Sequence, residues 1–228
     1  MLKTIMAFLI LLQCACLSAQ AKITDKGQQL SKFLDGLQVD KKWLASVEKI
    51  DWQTGEFSTK TDPPKDPRDP AAKNGNTPAI DKKLRTHSSS FVAAACEKLG
   101  IYILKPAGQP SCLLSNAQYD WLLSAGAEKG WTQLLLPNEA QDLANQGNIV
   151  VAVWKNLDPE KPGHIVIVRP CEKNDSQITN EGPDIIQAGT RNYNSTTLKE
   201  GFKTYKGAFD NSEILFFSHP PATAAEKK

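Results

Sequence analysis

Two short runs of this sequence hold side chains that are able to carry out covalent chemistry. The first is SSSFVAAACEKLG, which begins at Ser88, where a polar stretch gives way to an apolar helix pattern. The second is PGHIVIV, in which His164 begins a strand pattern directly after a glycine. A serine hydroxyl activated by a histidine is a nucleophile for acyl transfer. A hydroxyl at a helix start also caps free backbone N–H groups, so a capping role for Ser88 stays open beside the catalytic one.

A third polar side chain is needed to orient the imidazole and to fix its tautomer. Gln187 is the first choice, because its run DIIQA predicts the strand that follows the histidine strand. Asn192 is the second choice and Asn194 a further candidate, while the structural alternative is a polar residue on the wet face of a sheet. His87 is a candidate for lining the cleft. The backbone N–H of Ser88 is a candidate donor for an oxyanion hole.

The two runs together resemble the NlpC-type and CHAP cysteine peptidases and amidases, which are papain-like hydrolases of bacterial cell-wall peptides. Those families have Cys-Ser-x-Phe-Val at a helix start, Gly-His and three hydrophobic residues on a strand, and a third polar residue on the next strand. The resemblance spans roughly residues 85 to 218. It implies a papain-like fold, an amide bond of a peptidoglycan stem peptide as substrate, and no metal or nucleotide cofactor. It places Ser88 at the nucleophile position, His164 as acid or base, and Gln187 in the orienting role.

Ser88 departs from the family pattern, which has a cysteine at this position. A helix terminus contributes about 0.3–1 kcal/mol, up to ~2 kcal/mol in favourable geometry, and one pKa unit is worth about 1.36 kcal/mol. The helix therefore cannot ionise an alcohol at neutral pH, and a serine needs His164 as a true general base. Three accounts stay open: an enzyme inactivated by substitution, a natural pseudoenzyme that binds cell-wall peptide or a protein, and a working serine variant. An acyltransferase of the same superfamily is a further alternative.

The composition predicts a single globular domain. The chain has 228 residues, of which 40% are hydrophobic and 23% charged, and its formal net charge is +2. Basic and acidic residues are interleaved and form no stripe, which argues against a nucleic-acid partner. The oligomeric state does not follow from these features.

Residues 1–21 have the features of a cleaved secretory signal. A lysine precedes an apolar run at residues 5–17, which is too short to span a bilayer comfortably, and small residues follow it. We therefore expect a secreted or periplasmic protein that begins at Lys22 and has no stable membrane span. A lipid anchor on Cys16 is the weaker alternative, because Gln13 stands where a lipoprotein signal prefers leucine.

Cys96, Cys112 and Cys171 remain after such a cleavage, and an odd number of thiols leaves at least one unpaired within the chain. The sequence does not determine which of them pair. Cys96 lies on the apolar side of its helix pattern, so we assign it to the core rather than to catalysis. No CxxC or Cys/His metal spacing occurs, and we expect no metal site.

Helix patterns dominate the first half of the chain and strand patterns the second half. Helices are predicted at residues 23–37, 88–99, 116–125 and 138–145, and a short extended piece at 101–104. Strands are predicted at residues 149–154, 164–168, 184–188 and 213–217. Helices followed by sequential strands predict an α+β domain, in which an antiparallel sheet has its helices packed on one side.

The predicted organisation of the chain has four parts. They are the signal peptide at 1–21, an N-terminal helix with a Pro-rich extended loop at 22–84, the papain-like NlpC/CHAP-type domain at 85–218, and a disordered tail at 219–228. The Pro-rich loop is predicted to be a solvated connection, with a lid over the site as the alternative.

Overall fold

A six-stranded sheet forms the centre of the computed structural model, which describes residues 22–45, 50–57, 86–106 and 114–221. The strands are β1 (Thr132–Leu134), β2 (Ile149–Trp154), β3 (His164–Val168), β4 (Asp184–Ala188), β5 (Asn192–Thr197) and β6 (Leu215–His219). Along the sheet they follow the order β1-β6-β2-β3-β4-β5, and each neighbouring pair is antiparallel. The predicted α+β class and antiparallel sheet are confirmed.

Six α-helices accompany the sheet within the described ranges. They are α1 (Asp25–Gly36), α2 (Ser88–Lys98), α3 (Leu114–Ser124), α4 (Pro137–Asn145), α5 (Asp175–Glu181) and α6 (Leu198–Phe202). The four predicted helices correspond to the first four of these, and three predicted strands coincide with β2, β3 and β4. The fourth predicted strand begins two residues too early, since β6 starts at Leu215. The sequence did not predict α5, α6, β1 or β5.

Helices cover both faces of the sheet. On one face Val151 and Val153 of β2 pack with Phe91 of α2 in a first core, to which α1 and α3 also contribute. On the other face Val150 packs with Ala140 of α4 in a second core, which α6 completes. The predicted placement of the helices on a single side is therefore corrected. The physical reason is that a strand apolar at every position, such as β2, needs cover on both faces.

The described part of the N-terminal segment belongs to the same folded unit as the sheet. The apolar side of α1 lies in the first core, and Asp35 at its end forms an ion pair with Arg169 beyond β3 at 2.6 Å. Residues 39–45 follow as a segment that we call the strap. Its Trp43 is 1% exposed and meets the ring of Phe91 edge-on, with 5.3 Å between ring centroids. The strap thus closes one end of the first core.

Some predictions concern residues outside the described ranges. They are the signal peptide at 1–21, the Pro-rich loop at 58–79, Cys112, and the tail from residue 222 onward. The tail was predicted to begin at His219, which is the last residue of β6. Residues 101–104 form no strand, although Ile101 and Ile103 are buried. Among the helices of the described ranges, none has the length and apolar character needed to cross a membrane.

Candidate functional site

His164 is the first residue of β3, and its ring is fully buried among aromatic side chains. Tyr205 stacks on the imidazole, with 4.8 Å between ring centroids and 22° between the planes. Phe202, the last residue of α6, meets the imidazole edge-on at 4.9 Å. Trp154 is the partner of His164 across the β2–β3 pair and packs against Tyr205 in turn. The imidazole therefore lies on the face of the sheet that the second core occupies.

Gln187 on β4 makes the hydrogen bond that defines the state of the imidazole. Its Oε1 lies 3.0 Å from His164 Nε2, and its Nε2 donates to the carbonyl oxygen of Arg191 at 3.0 Å. Because the amide nitrogen faces a carbonyl, the amide oxygen must face the ring. A neutral imidazole then carries its proton on Nε2 and donates it to Gln187. The other ring nitrogen, Nδ1, is buried and has no hydrogen-bond partner among the described residues.

Burial controls the protonation of His164. Burial lowers the pKa of the imidazole from 6.5 to about 4, and the hydrogen bond that His164 donates to Gln187 opposes part of this effect. A charged ring is disfavoured because none of the carboxylates in the described ranges compensates for the loss of water. At neutral pH the side chain is therefore a neutral imidazole with an available lone pair on Nδ1.

Helix α6 covers this histidine–glutamine pair from the second face, and a glycine makes its close approach possible. A Cβ atom added to Gly201 would lie 2.8 Å from Gln187 Oε1 and in collision with Ile185 Cδ1. Thr197 caps the start of the helix, and its hydroxyl accepts a hydrogen bond from Glu200 N. Helix α6 therefore encloses the amide of Gln187 as well as the imidazole.

The glycine of the Gly-His run has a steric role of its own. A Cβ atom at Gly163 would lie 2.5 Å from Asn116 Oδ1 and collide with the carbonyl oxygen of Trp154. Asn116, on α3, receives a hydrogen bond from Asn156 N at 3.1 Å and donates to Lys161 O at 2.9 Å. This asparagine thereby holds the β2–β3 loop in place and fixes the point at which His164 enters the sheet.

Ser88 is the first residue of α2 and is 3% exposed. His87 occupies the N-cap position, and its side chain makes no capping hydrogen bond. Ser88 stands one position inside the helix, so it is not the N-cap residue. The next turn of the helix is held by Gln118, whose Nε2 donates to Ser89 O at 3.2 Å. The N-cap position that the capping interpretation assigns to Ser88 is therefore occupied by His87.

The structure joins two of the three predicted site residues. His164 and Gln187 are hydrogen-bonded on the second face of the sheet, whereas Ser88 begins a helix that packs on the first face. No hydrogen bond among the described residues connects Ser88 to the imidazole, since Nδ1 has no partner and Nε2 is used by Gln187. The catalytic role of these three residues stays a prediction.

The remaining candidates have other surroundings. Asn192 Nδ2 donates to the strap carbonyls of Val39 and Lys42, at 2.6 Å and 2.8 Å, and its Oδ1 accepts from Gly189 N. Asn194 lies on β5, and its backbone oxygen accepts a hydrogen bond from Arg169. Cys96 is fully buried in the first core, and burial raises its pKa to about 12, as expected for a structural thiol.

Sequence reasoning missed the residues that enclose His164. Phe202 and Tyr205 stand in the run LKEGFKTY, whose polar composition resembles neither a buried strand nor an amphipathic helix. The one available signal was the glycine at 201, which is an unexpected residue inside a short helix. Asn116 was predicted only as the beginning of a helix.

Within the described ranges, no group of three histidine, cysteine, aspartate or glutamate side chains is placed to hold a metal ion. Comparison of the sequence with known protein families and with curated proteins gives no match.

Proposed function

We propose that this chain is a secreted papain-like domain of the amidase type, which acts on amide bonds in cell-wall peptides. Ser88 is its nucleophile, His164 its base and Gln187 the residue that orients the base. One observation carries the proposal: the buried imidazole holds its proton on Nε2 toward Gln187 and keeps a lone pair on Nδ1. A serine nucleophile requires a base in this state, because its proton must leave as the oxygen attacks.

The proposed reaction is an acyl transfer in two steps. Nδ1 of His164 takes the proton of Ser88 as Oγ bonds to the amide carbonyl carbon. The same nitrogen returns that proton to the leaving nitrogen when the C–N bond breaks. Water then hydrolyses the ester by the same route, and another acceptor in its place makes the domain an acyltransferase. In the described structure the two groups lie against opposite faces of the sheet, so the reaction requires the start of α2 and the imidazole to rearrange until Ser88 Oγ and Nδ1 are within about 3 Å.

A non-catalytic binding module is the second candidate, and burial favours it. Ser88 is 3% exposed and His164 is 0% exposed, and no hydrogen bond connects them. In this candidate the histidine–glutamine pair is part of the packing between α6 and the sheet. The domain then holds cell-wall peptide or a partner protein without cleaving it.

The two candidates are separated by placing a thiol at position 88. Ser88→Cys is compared with Ser90→Cys, which puts a thiol on the same helix two residues later, both in a Cys112→Ser background. Burial raises the pKa of Cys96 and of Cys171 to about 12, so neither native thiol ionises at neutral pH. Each variant is incubated with purified cell-wall fragments, and newly released amino groups are measured by mass spectrometry.

The hydrolase proposal expects Ser88→Cys to release amino groups at pH 7 and Ser90→Cys to release none. A further His164→Ala change removes the activity of the Ser88→Cys form. If both the wild type and Ser88→Cys bind the fragments and neither cuts an amide bond, the hydrolase proposal is wrong and the binding module stands.

A further inference from the structure

An open groove lies between the strap and the turn that connects β4 to β5. Its volume is about 480 Å³, and its walls are Asp40, Leu44 and Ala45 on one side and residues 190–193 on the other. The two walls are held together by Asn192, which lines the groove and donates to the carbonyl oxygens of Val39 and Lys42. Because these hydrogen bonds exist without a ligand, the groove does not need to be assembled when one binds.

The groove presents two charges of opposite sign and an apolar floor. Arg191 is exposed on one wall and Asp40 on the other, and neither lies within ion-pair distance of a described residue, although the charge of Arg191 contributes to the lowered pKa of Glu200. Leu44 is 44% exposed, and Tyr193 is half-buried beside it in the lining. A planar guanidinium binds a carboxylate through two parallel hydrogen bonds. The apolar side chains suit the aliphatic part of the same ligand.

The groove is connected to the candidate site by a single residue. The backbone oxygen of Arg191 accepts the hydrogen bond from Gln187 Nε2, and Gln187 Oε1 accepts the one from His164. The backbone of Arg191 therefore connects the groove lining to the amide that orients the imidazole. Tyr193 is also the register partner of Gln187 across the β4–β5 pair.

We infer that this groove binds a short peptide through a free carboxylate, which the guanidinium of Arg191 holds, with an ammonium group of the same peptide at Asp40. The inference rests on the proposed function only for the origin of the peptide in the cell wall. Binding itself requires neither Ser88 nor hydrolysis.

The probe is the tetrapeptide Ala-Glu-Lys-Ala, compared with the same peptide after its carboxylates are converted to amides. Titrations followed by NMR use the wild type, Arg191→Gln, Arg191→Lys and Lys206→Gln. Lys206 is an exposed lysine outside the groove lining, so its loss controls for net charge. Ser88→Ala is titrated as well, because it removes the nucleophile and leaves the groove intact.

The wild type is expected to bind the acid peptide about tenfold or more tighter than the amidated peptide, with shifts of the Arg191 and Gln187 side-chain resonances. Arg191→Gln loses this preference, Arg191→Lys keeps part of it, and Lys206→Gln and Ser88→Ala keep all of it. Equal affinity for the two peptides, or an unchanged preference in Arg191→Gln, overturns the inference. If the wild type prefers the acid peptide but neither it nor Ser88→Cys cuts an amide bond, the groove inference holds and the hydrolase proposal is wrong. If Ser88→Cys cuts amide bonds and Arg191→Gln changes neither the cutting nor the preference, the hydrolase proposal holds and the groove inference is wrong.

Discussion

At the scale of single residues, the hydrogen bond from Gln187 to the Arg191 carbonyl determines the state of the histidine. It turns the amide oxygen toward His164, and the ring must then carry its proton on Nε2. The surrounding aromatic rings of Phe202 and Tyr205 exclude water and keep the ring neutral. A neutral ring of fixed tautomer suits proton abstraction from an alcohol, whereas a thiolate would be stabilised by a charged one.

Protonation of His164 is expected to destabilise the fold in acid. The pKa of the ring is about 4 in the folded protein and 6.5 without burial. Between these two pH values the unfolded chain binds a proton at this histidine and the folded chain does not. Stability is complete above pH 6.5 and falls as the pH drops toward 4. At about 1.36 kcal/mol for each pH unit between the two values, the loss reaches about 3 kcal/mol. Urea unfolding of the wild type at pH 7 and pH 4 measures it.

His164→Gln is expected to lose this part of the pH dependence, and His219→Gln, which changes a histidine at the far end of β6, is expected to keep it. Carboxylates contribute equally to all three proteins and cancel in the comparison. If the unfolding free energy of His164→Gln depends on pH as steeply as that of the wild type, the prediction that His164 is neutral in the folded protein is wrong. Nitrogen-15 NMR of the ring gives an independent measurement, with the proton expected on Nε2.

The sequence identifies His164 and Gln187 because each stands in a strand pattern and few polar residues do. Their mutual hydrogen bond was expected from the order of the strands. The surroundings of Ser88 were not predictable from the sequence. The helix pattern shows which residues form the apolar side of α2, but it does not show on which face of the sheet that side packs. Whether Ser88 reaches the imidazole depends on that packing.

At the scale of elements, α6 is the part of the fold that encloses the pair. It is five residues long and lies over β4, where Gly201 approaches Gln187 and Ile185 too closely for any side chain. The long apolar strands were predictable because a continuous buried run has a clear signature. The strand NYNSTT (β5) and the helix LKEGF (α6) were not, because polar edge elements owe their structure to the neighbours they pair with.

Gly201→Ala is expected to lower the free energy of unfolding by about 1–3 kcal/mol, the usual effect of overpacking. The new methyl group displaces Gln187 Oε1, and the weakened hydrogen bond moves the imidazole resonances of His164. Gly36→Ala is the matched control, because Gly36 is also a helical glycine and an added Cβ there meets nothing within 4 Å. We expect the control to be neutral or slightly stabilising. Equal unfolding free energies of the two variants would contradict the close approach of α6.

At the scale of the whole molecule, the N-terminal segment of the described chain is held against the sheet formed by the second half of the chain. Asp35 pairs with Arg169, and Asn192 holds the strap that carries Trp43 into the first core. This union was not visible in the sequence, because a Pro-rich stretch separates residues 22–57 from the helix at Ser88. Contacts between segments so far apart leave no local pattern.

Asn192→Ala is expected to destabilise the protein by about 2 kcal/mol, because buried carbonyl groups of the strap lose their donor. Limited proteolysis is then expected to cut within residues 39–45 faster than in the wild type. Asn180→Ala, at an exposed position of α5, is the control and is expected to leave both measurements unchanged. Identical cutting rates in the two variants would show that Asn192 does not hold the strap.

The position of β6 has a consequence for biosynthesis. It is the last strand of the described chain, and it pairs with β1 on one side and β2 on the other. Until residues 215–219 have left the ribosome, β2 has an unpaired edge and the nascent polypeptide cannot complete its sheet. Among the described strands, the pairing of β1 and β2 with the rest of the sheet therefore waits for β6 to be synthesised.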